Sequence, residues 1–231
     1  DGTTNLDVVD IDGAVDMAST LAVAGVLTGA SLDISGDIDV DGTTNLDVVD
    51  VDGAVNFAAD VTFADGADII TASAGTSNFR AGVNAGNSIT SGGNYNTVVG
   101  DEAGTALTTG DSNVAVGFEA LLTEDAHGWN VAVGYKALRA LDAGANAENT
   151  AVGWVAGAAM TEGVKNVLVG SQAGDALTHA DFNIAVGYGA LGADTLGSKS
   201  VAIGSTALSL QNFTSATDTY NTAVGYAAGA A

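Results

Sequence analysis

Paired aspartates before a glycine are the first residues whose spacing suggests chemistry. The phrase Asp-x-Asp-Gly occurs three times early in the chain, with carboxylates at Asp10, Asp12, Asp39, Asp41, Asp50 and Asp52. Closely spaced oxygen ligands of this kind can bind Ca²⁺. The twelve-residue calcium loop and the nine-residue glycine-rich calcium repeat are both missing from the sequence, however. Aspartates that point outward from alternating strand positions explain the pattern equally, so both interpretations stay open.

Aromatic residues at one position of a repeat suggest a binding strip. They follow a repeated glycine in five copies, as Phe118, Tyr135, Trp154, Tyr188 and Tyr226. A stacked ladder of such rings can bind a sugar, or it can fill the groove between copies or chains and stabilise the structure. Two longer segments, 141–148 and 209–220, are either receptor contacts or plain tolerated loops. The candidate receptor contacts are Trp129, Tyr135, Trp154, Phe213 and Tyr220.

No motif in the sequence predicts catalysis. His127 and His179 lie in loops without cysteines or clustered carboxylates, so zinc spacing is missing. We find no nucleophile elbow, phosphate-binding loop or dinucleotide fingerprint. The scattered acids do not predict the facing carboxylate pair that glycan cleavage needs. We therefore expect no catalytic residues, no enzyme activity, and no cofactor besides the Ca²⁺ considered above.

Composition and charge limit the fold and the partners. The 231-residue chain has 32 glycines, no proline, no cysteine and a formal net charge of −23. Its Val, Ile, Thr, Gly, Asn and Asp suit short strands joined by tight turns. The charge repels nucleic acid and anionic membranes, and no run of eighteen apolar residues predicts a membrane span. We expect an all-β protein that binds no nucleic acid and does not insert into a membrane.

Two repeat systems must position these residues. Residues 1–10 recur letter for letter at 41–50, and 16 of 24 positions are identical between 1–24 and 41–64. Apolar and polar residues alternate there, which is the period of short strands with one buried face. We predict an Asp-rich β-repeat shaft at 1–79, a junction at 80–94 and a second repeat region at 95–231. Both ends of the chain fall inside repeated phrases, so we expect a segment of a longer protein.

The second region repeats the phrase Asn-x-Ala-Val-Gly-x-x-Ala eight times, with small departures in some copies. Successive copies start 17, 17, 19, 17, 17, 17 and 21 residues apart, which fits one coil of a parallel β-solenoid. We expect the aliphatic residue before each glycine to join a buried column. The glycine should lack room for a Cβ or need positive φ, and the leading asparagines should form an amide ladder. These repeat positions are Gly100, Gly117, Gly134, Gly153, Gly170, Gly187, Gly204 and Gly225, with Asn96, Asn113, Asn130, Asn149, Asn166, Asn183 and Asn221.

The repeats resemble those of two classes of fibrous protein. Ser-Val-Ala-Ile-Gly-Ser-Thr-Ala at 200–207 is similar to the head repeats of trimeric autotransporter adhesins. Asn-Thr-Ala-Val-Gly-Tyr at 221–226 and the Thr-Thr-Asn-Leu-Asp-Val-Val-Asp phrases resemble repeats of phage tail fibres, especially marine ones. The resemblance implies a left-handed β-roll in which three chains pack about a common axis. The 17-residue period is longer than that of the adhesin coils, and longer outer loops would account for the difference.

The resemblance also implies a location and partners. We expect a structural and adhesive segment of a homotrimeric extracellular fibre, a tail fibre of a virion that serves host attachment. Its partners would be copies of itself, other fibre or tail proteins, and a cell-surface receptor or glycan. A bacterial trimeric surface adhesin head and a purely structural filament or spacer without a receptor site are the alternatives.

Overall fold

The computed structural model describes Val51, Val55 and residues 73–230, and these residues form strands and turns without any helix. Residues 73–230 lie in the second of two units of the chain, 62–231. Most of the predicted Asp-rich shaft therefore lies outside the described residues. The strands are β1 (Phe79–Ala81), β2 (Thr97–Val99), β3 (Val114–Val116), β4 (Val131–Val133), β5 (Thr150–Val152), β6 (Val167–Val169), β7 (Ile184–Val186), β8 (Gly197–Ser198), β9 (Val201–Ile203), β10 (Thr217–Asp218) and β11 (Thr222–Val224).

Nine of these strands form one parallel sheet in the order β1-β2-β3-β4-β5-β6-β7-β9-β11. Each strand pairs with the same three positions of the next copy, as Thr97–Val99 does with Val114–Val116. Parallel neighbours need a long crossover, and the turns of each coil supply it. The predicted all-β solenoid with coils of about 17 residues is confirmed. A second, two-stranded parallel sheet pairs β8 with β10, which lies in the insertion 209–220.

The sheet begins one coil earlier than the repeated phrase indicates. β1 pairs with β2, and the N–H of Asn96 donates to Oδ1 of Asn78 at 2.8 Å, as between later coils. Segment 80–94, which we predicted as a junction, lies within the coil that runs from Asn78 to Tyr95. Its sequence hides the repeat because Arg80 and Ala81 replace the usual Ala-Val before Gly82.

The middle residue of each strand forms the inner face of the sheet. Ala115, Ala132 and Leu168 are fully buried, whereas Val152 and Val169, which precede repeat glycines, are 37% and 36% exposed. The predicted burial of the valine column within one chain is therefore wrong. Side chains of a strand alternate between faces, and the narrow interior holds mostly alanine at this level, so the larger β-branched residues point outward.

The repeat glycines stack directly on one another. Gly117 has a φ of 130°, and a Cβ built on it would lie 2.5 Å from the carbonyl oxygen of Gly134. Positive φ and a backbone approach this close both require glycine. Both predicted reasons for the glycine, positive φ and the lack of room for a Cβ, are thus confirmed at every repeat glycine from Gly100 to Gly204.

The leading asparagines form a buried ladder between coils. The N–H of Asn113 donates to Oδ1 of Asn96 at 2.8 Å, and the Asn113 amide donates to the carbonyl of His127 in its own coil at 3.0 Å. The same N–H to Oδ1 bond continues coil by coil as far as Ser200. The predicted amide ladder is confirmed over this range. Asn221 is exposed and lies outside the ladder, because Ser200 has no side-chain amide and its hydroxyl contacts Thr219 and Gln211 instead.

Residues of complementary size pack the interior of several coils. In one coil Leu168 on the strand lies opposite Gly174 in the turn, and in the next coil Ala185 lies opposite Leu191. A Cβ on Gly174 would lie only 2.8 Å from Leu168 Cδ2. A large residue on the strand therefore excludes a large residue in the turn, as close packing requires.

Candidate functional site

One column of side chains runs along the roll at the position after each repeat glycine. The backbone keeps it in register, since Phe118 accepts the N–H of Lys136 in the next coil at 2.9 Å and Tyr135 accepts that of Val155 at 2.8 Å. The corresponding bond recurs in each of the later coils. We call the following residues the aromatic column: Asp101, Phe118, Tyr135, Trp154, Ser171, Tyr188, Ser205 and Tyr226.

Three consecutive members of the aromatic column stack. The ring centroids of Phe118 and Tyr135 are 5.4 Å apart, and those of Tyr135 and Trp154 are 6.3 Å apart, with planes inclined by 17° and 11°. Lys136 Nζ lies 5.0 Å from the Tyr135 ring centroid, a favourable cation–π distance. In this half of the column the rings cover each other's faces, which favours the stabilising interpretation of the ladder.

A salt-bridge cluster holds Lys136 beside these rings. Glu119 contacts Lys136 Nζ at 3.6 Å and also accepts a hydrogen bond from Arg139. The hydrogen bond from Arg139 is the main reason that the pKa of Glu119 is lowered from its usual value. The carboxylate therefore remains charged and keeps the ammonium group near the stacked rings.

The C-terminal half of the aromatic column alternates aromatic residues with serine. Ser171 lies between Trp154 and Tyr188, and Ser205 lies between Tyr188 and Tyr226. Trp154, Tyr188 and Tyr226 are 51%, 57% and 83% exposed. Within residues 73–230 no ring stacks on Tyr188 or Tyr226, so the expected ladder of five rings ends at Trp154.

The other predicted receptor contacts lie outside this column. Trp129 and Tyr220 both precede the leading asparagine position, and both are exposed with positive φ. Phe213 is half-buried in the longest coil. The structure therefore brings Tyr135 and Trp154 together and keeps the remaining three candidates apart from them.

Two buried acids anchor the two lengthened coils. Glu124 Oε2 accepts the N–H of Ala143 at 3.3 Å in the insertion 141–148, and Asp194 Oδ1 accepts the N–H of Phe213 at 3.0 Å in the insertion 209–220. Each acid also accepts an N–H three residues ahead in its own coil. The carboxylates thus satisfy backbone donors that the extra residues introduce. Five other coils carry an apolar residue at this position, namely Ile89, Leu107, Leu141, Met160 and Leu177, and the coil after Asp194 carries Gln211, whose amide donates to Asp194 Oδ2.

Glu124 also belongs to a cluster of possible metal ligands. Glu124, Asp125, His127 and Asp142 each place a ligand atom within 4.8 Å of the others. The expectation that neither histidine meets clustered carboxylates is therefore wrong for His127, because stacked coils bring distant loop residues together. Such a donor set suits divalent cations. Both oxygens of Glu124 already accept N–H groups, however, so in this structure the carboxylate serves the loop.

Burial affects the charge of this acid. Removal from water raises the pKa of Glu124 above its ordinary value, and the hydrogen bonds from Ala143 and His127 oppose the shift only in part. The acid that holds the insertion 141–148 is thus more easily protonated than a glutamate in water.

The six aspartates predicted as calcium ligands lie outside the described residues, namely Asp10, Asp12, Asp39, Asp41, Asp50 and Asp52. No family model matches the chain, and no curated protein and no solved structure shows significant similarity to it. In the part of the chain that the structure describes, no helix is long and apolar enough to cross a membrane.

Sequence reasoning missed the two buried acids and the two serines, although an alignment of the copies contains a signal for both. Glu124 and Asp194 replace an apolar residue directly ahead of the two copies with extra residues. Ser171 and Ser205 interrupt the aromatic position in alternate copies. Comparing the copies position by position, beyond the core phrase, would have found these four residues.

Proposed function

We propose that the chain is a segment of a homotrimeric extracellular fibre that contributes to host attachment, of the phage tail-fibre type. The number of chains and the type of fibre come from the resemblance of the repeats. The outer face of the nine-stranded sheet supports association on physical grounds.

The outer face is uncharged along the whole roll. From β2 to β11 the first and third residue of every strand of the nine-stranded sheet is valine, isoleucine or threonine, in a chain whose net charge is −23. Val167, Val169 and Ile184 are 38%, 36% and 39% exposed. Nine strands spaced about 4.8 Å apart give a face of about 38 Å in length. A continuous apolar surface of this kind favours association with a partner.

A further copy of the chain is the partner that suits this face. The interior holds mainly alanine and leucine, so one coil buries little apolar surface and association supplies additional core. Acidic chains repel each other wherever their charges meet, but this face brings no charges together. A closed cyclic trimer lets each chain contribute the same surfaces around one axis.

Sedimentation velocity and native mass spectrometry of the 231-residue chain test the trimer. The expected species has three times the chain mass of 22.5 kDa. Val133→Asp/Val169→Asp places two charges on the outer face and should dissociate the trimer while the far-ultraviolet circular dichroism persists. Thr178→Asp is the matched control, because it adds a charge at the coil position where Asp125 and Asp142 already stand. A wild-type monomer, or a trimer that tolerates both aspartates on the face, contradicts the proposal.

Host attachment is tested separately with fluorescently labelled wild-type trimer on a panel of bacterial cells. We expect saturable binding to a subset of strains, which unlabelled trimer displaces. A trimer that binds none of the cells contradicts the attachment role and favours the spacer.

A further inference from the structure

The stacked half of the aromatic column shows how much space one ring occupies. Tyr135 lies between Phe118 and Trp154, with centroid distances of 5.4 and 6.3 Å. Phe118 and Trp154 lie two coils apart. The ring of Tyr135 alone fills the space between them and stacks on both. An aromatic pair two coils apart with no ring between them therefore leaves a slot that fits one ring.

The other half of the column has two such slots. Trp154 and Tyr188 stand two coils apart with Ser171 between them, and Tyr188 and Tyr226 stand two coils apart with Ser205 between them. Two strand spacings correspond to about 9.6 Å. A serine side chain is too short to cover the rings on either side, which agrees with their greater exposure. Each slot is therefore flanked by two aromatic side chains, with a serine hydroxyl between them.

The polar groups of the slots have no partners within residues 73–230. The hydroxyls of Ser171, Ser205, Tyr188 and Tyr226 and the indole N–H of Trp154 make no hydrogen bond to the described protein. No charged residue interrupts the column from Phe118 to Tyr226. The slots thus combine apolar ring faces with neutral hydrogen-bonding groups.

We propose that the two slots bind sugar rings of a neutral oligosaccharide. A pyranose ring presents C–H groups to an aromatic wall on each face and hydroxyls around its edge, so it matches both kinds of group in the slot. The net charge of −23 disfavours sulfated or sialylated glycans and nucleic acid. The inference names the ligand class of the attachment function proposed above and rests on that proposal.

The experiment uses the full 231-residue chain and an array of neutral gluco-, galacto-, manno- and N-acetylglucosamine oligomers, with sialylated and sulfated glycans for comparison. The neutral oligosaccharide that binds best is then titrated into the Trp129→Phe variant, in which Trp154 is the only tryptophan. We expect the ligand to shift the fluorescence of Trp154. Ser171→Tyr/Ser205→Tyr fills both slots with rings and should weaken binding about tenfold or more.

Asp101→Tyr is the matched control, because it adds a ring to the same column beside Phe118 and leaves both slots open. It should bind the glycan as the wild type does. Ser171→Ala keeps the slot open, removes one hydroxyl and should weaken binding about two- to tenfold. Sedimentation velocity measures the oligomeric state of every variant.

Three results would overturn the glycan assignment: no neutral oligosaccharide binds, anionic glycans bind better, or filling the slots leaves binding unchanged. A larger assembly that forms only while the slots are open would overturn it too, by assigning the slots to side chains of another copy. If the chain forms a trimer that binds no glycan, the glycan assignment is refuted and the fibre proposal stands. A wild-type monomer removes the fibre proposal itself.

Discussion

Exchanging the large and the small residue of one coil tests how the interior is packed. Leu168→Ala deletes a fully buried side chain and should cost about 2–5 kcal/mol. Gly174→Leu places a Cβ 2.8 Å from both Leu168 Cδ2 and Leu177 Cδ1 and should cost about 1–3 kcal/mol through overpacking. The backbone accepts leucine at this turn, because Leu191 holds the same position in the next coil and both residues have a φ of 56°.

The double variant Leu168→Ala/Gly174→Leu recreates the pair formed by Ala132 and Leu138, whose coil has a leucine, Leu141, at the position of Leu177. We expect it to recover more than half of the summed loss, a coupling of about 2 kcal/mol or more. Urea unfolding at fixed protein concentration, followed by tryptophan fluorescence, measures each free energy. A control cycle combines Leu168→Ala with Gly144→Ala, whose added Cβ meets no atom within 4 Å, and should be additive within about 0.5 kcal/mol. Additive losses in the first cycle would refute the reasoning from complementary size.

Two further predictions concern the glycine stack and the buried glutamate. Gly134→Ala should lower the free energy of unfolding by about 2 kcal/mol or more, since φ is 135° and the new Cβ would lie 2.3 Å from the oxygen of Gly153. Gly144→Ala should cost about 1 kcal/mol, and equal losses in a urea titration would count against the stack. For Glu124, burial raises the folded-state pKa above the ordinary 4.5, so ionisation weakens the fold as pH rises through the raised value. The stability of the wild type relative to Glu124→Gln, measured by urea unfolding at several pH values, should therefore be greatest near and below about pH 4.5 and decline above it. A difference that is constant with pH would refute the assignment.

The solenoid was predictable because its causes are local to one copy. The spacing of the copies sets the length of a coil, and Gly117 and Asn113 each contact the equivalent residue of a neighbouring coil. A contact between equivalent positions imposes the same requirement on every copy, so the requirement is visible as a repeated letter.

The direction of the valines was not predictable in the same way. Alternation places Val116 and Val114 on one face and Ala115 on the other, but both faces are apolar and the pattern does not say which is inside. The answer depends on the width of the coil, which the turns determine. Those turns carry positive φ at residues such as Lys136 and Leu138, where the sequence contains no glycine to indicate it.

The candidate site depended still more on contacts between copies. Phe118, Tyr135 and Trp154 were recognisable as a ladder because all three are aromatic. Glu124 becomes a loop anchor only because the next coil has two extra residues, and neither segment alone carries that information. Serines are common surface residues, so Ser171 gains meaning only from the rings that stand one coil to either side of it.

The contacts between neighbouring coils also determine how the length of the solenoid can change. The inner contacts of a coil are made with its two neighbours, through the asparagine ladder, the glycine stack and the strand pairs. Duplicating one 17-residue copy in the gene would therefore lengthen the particle by about 4.8 Å and leave the other coils unchanged. Length can vary in small uniform steps while any surface carried at a given coil keeps its form.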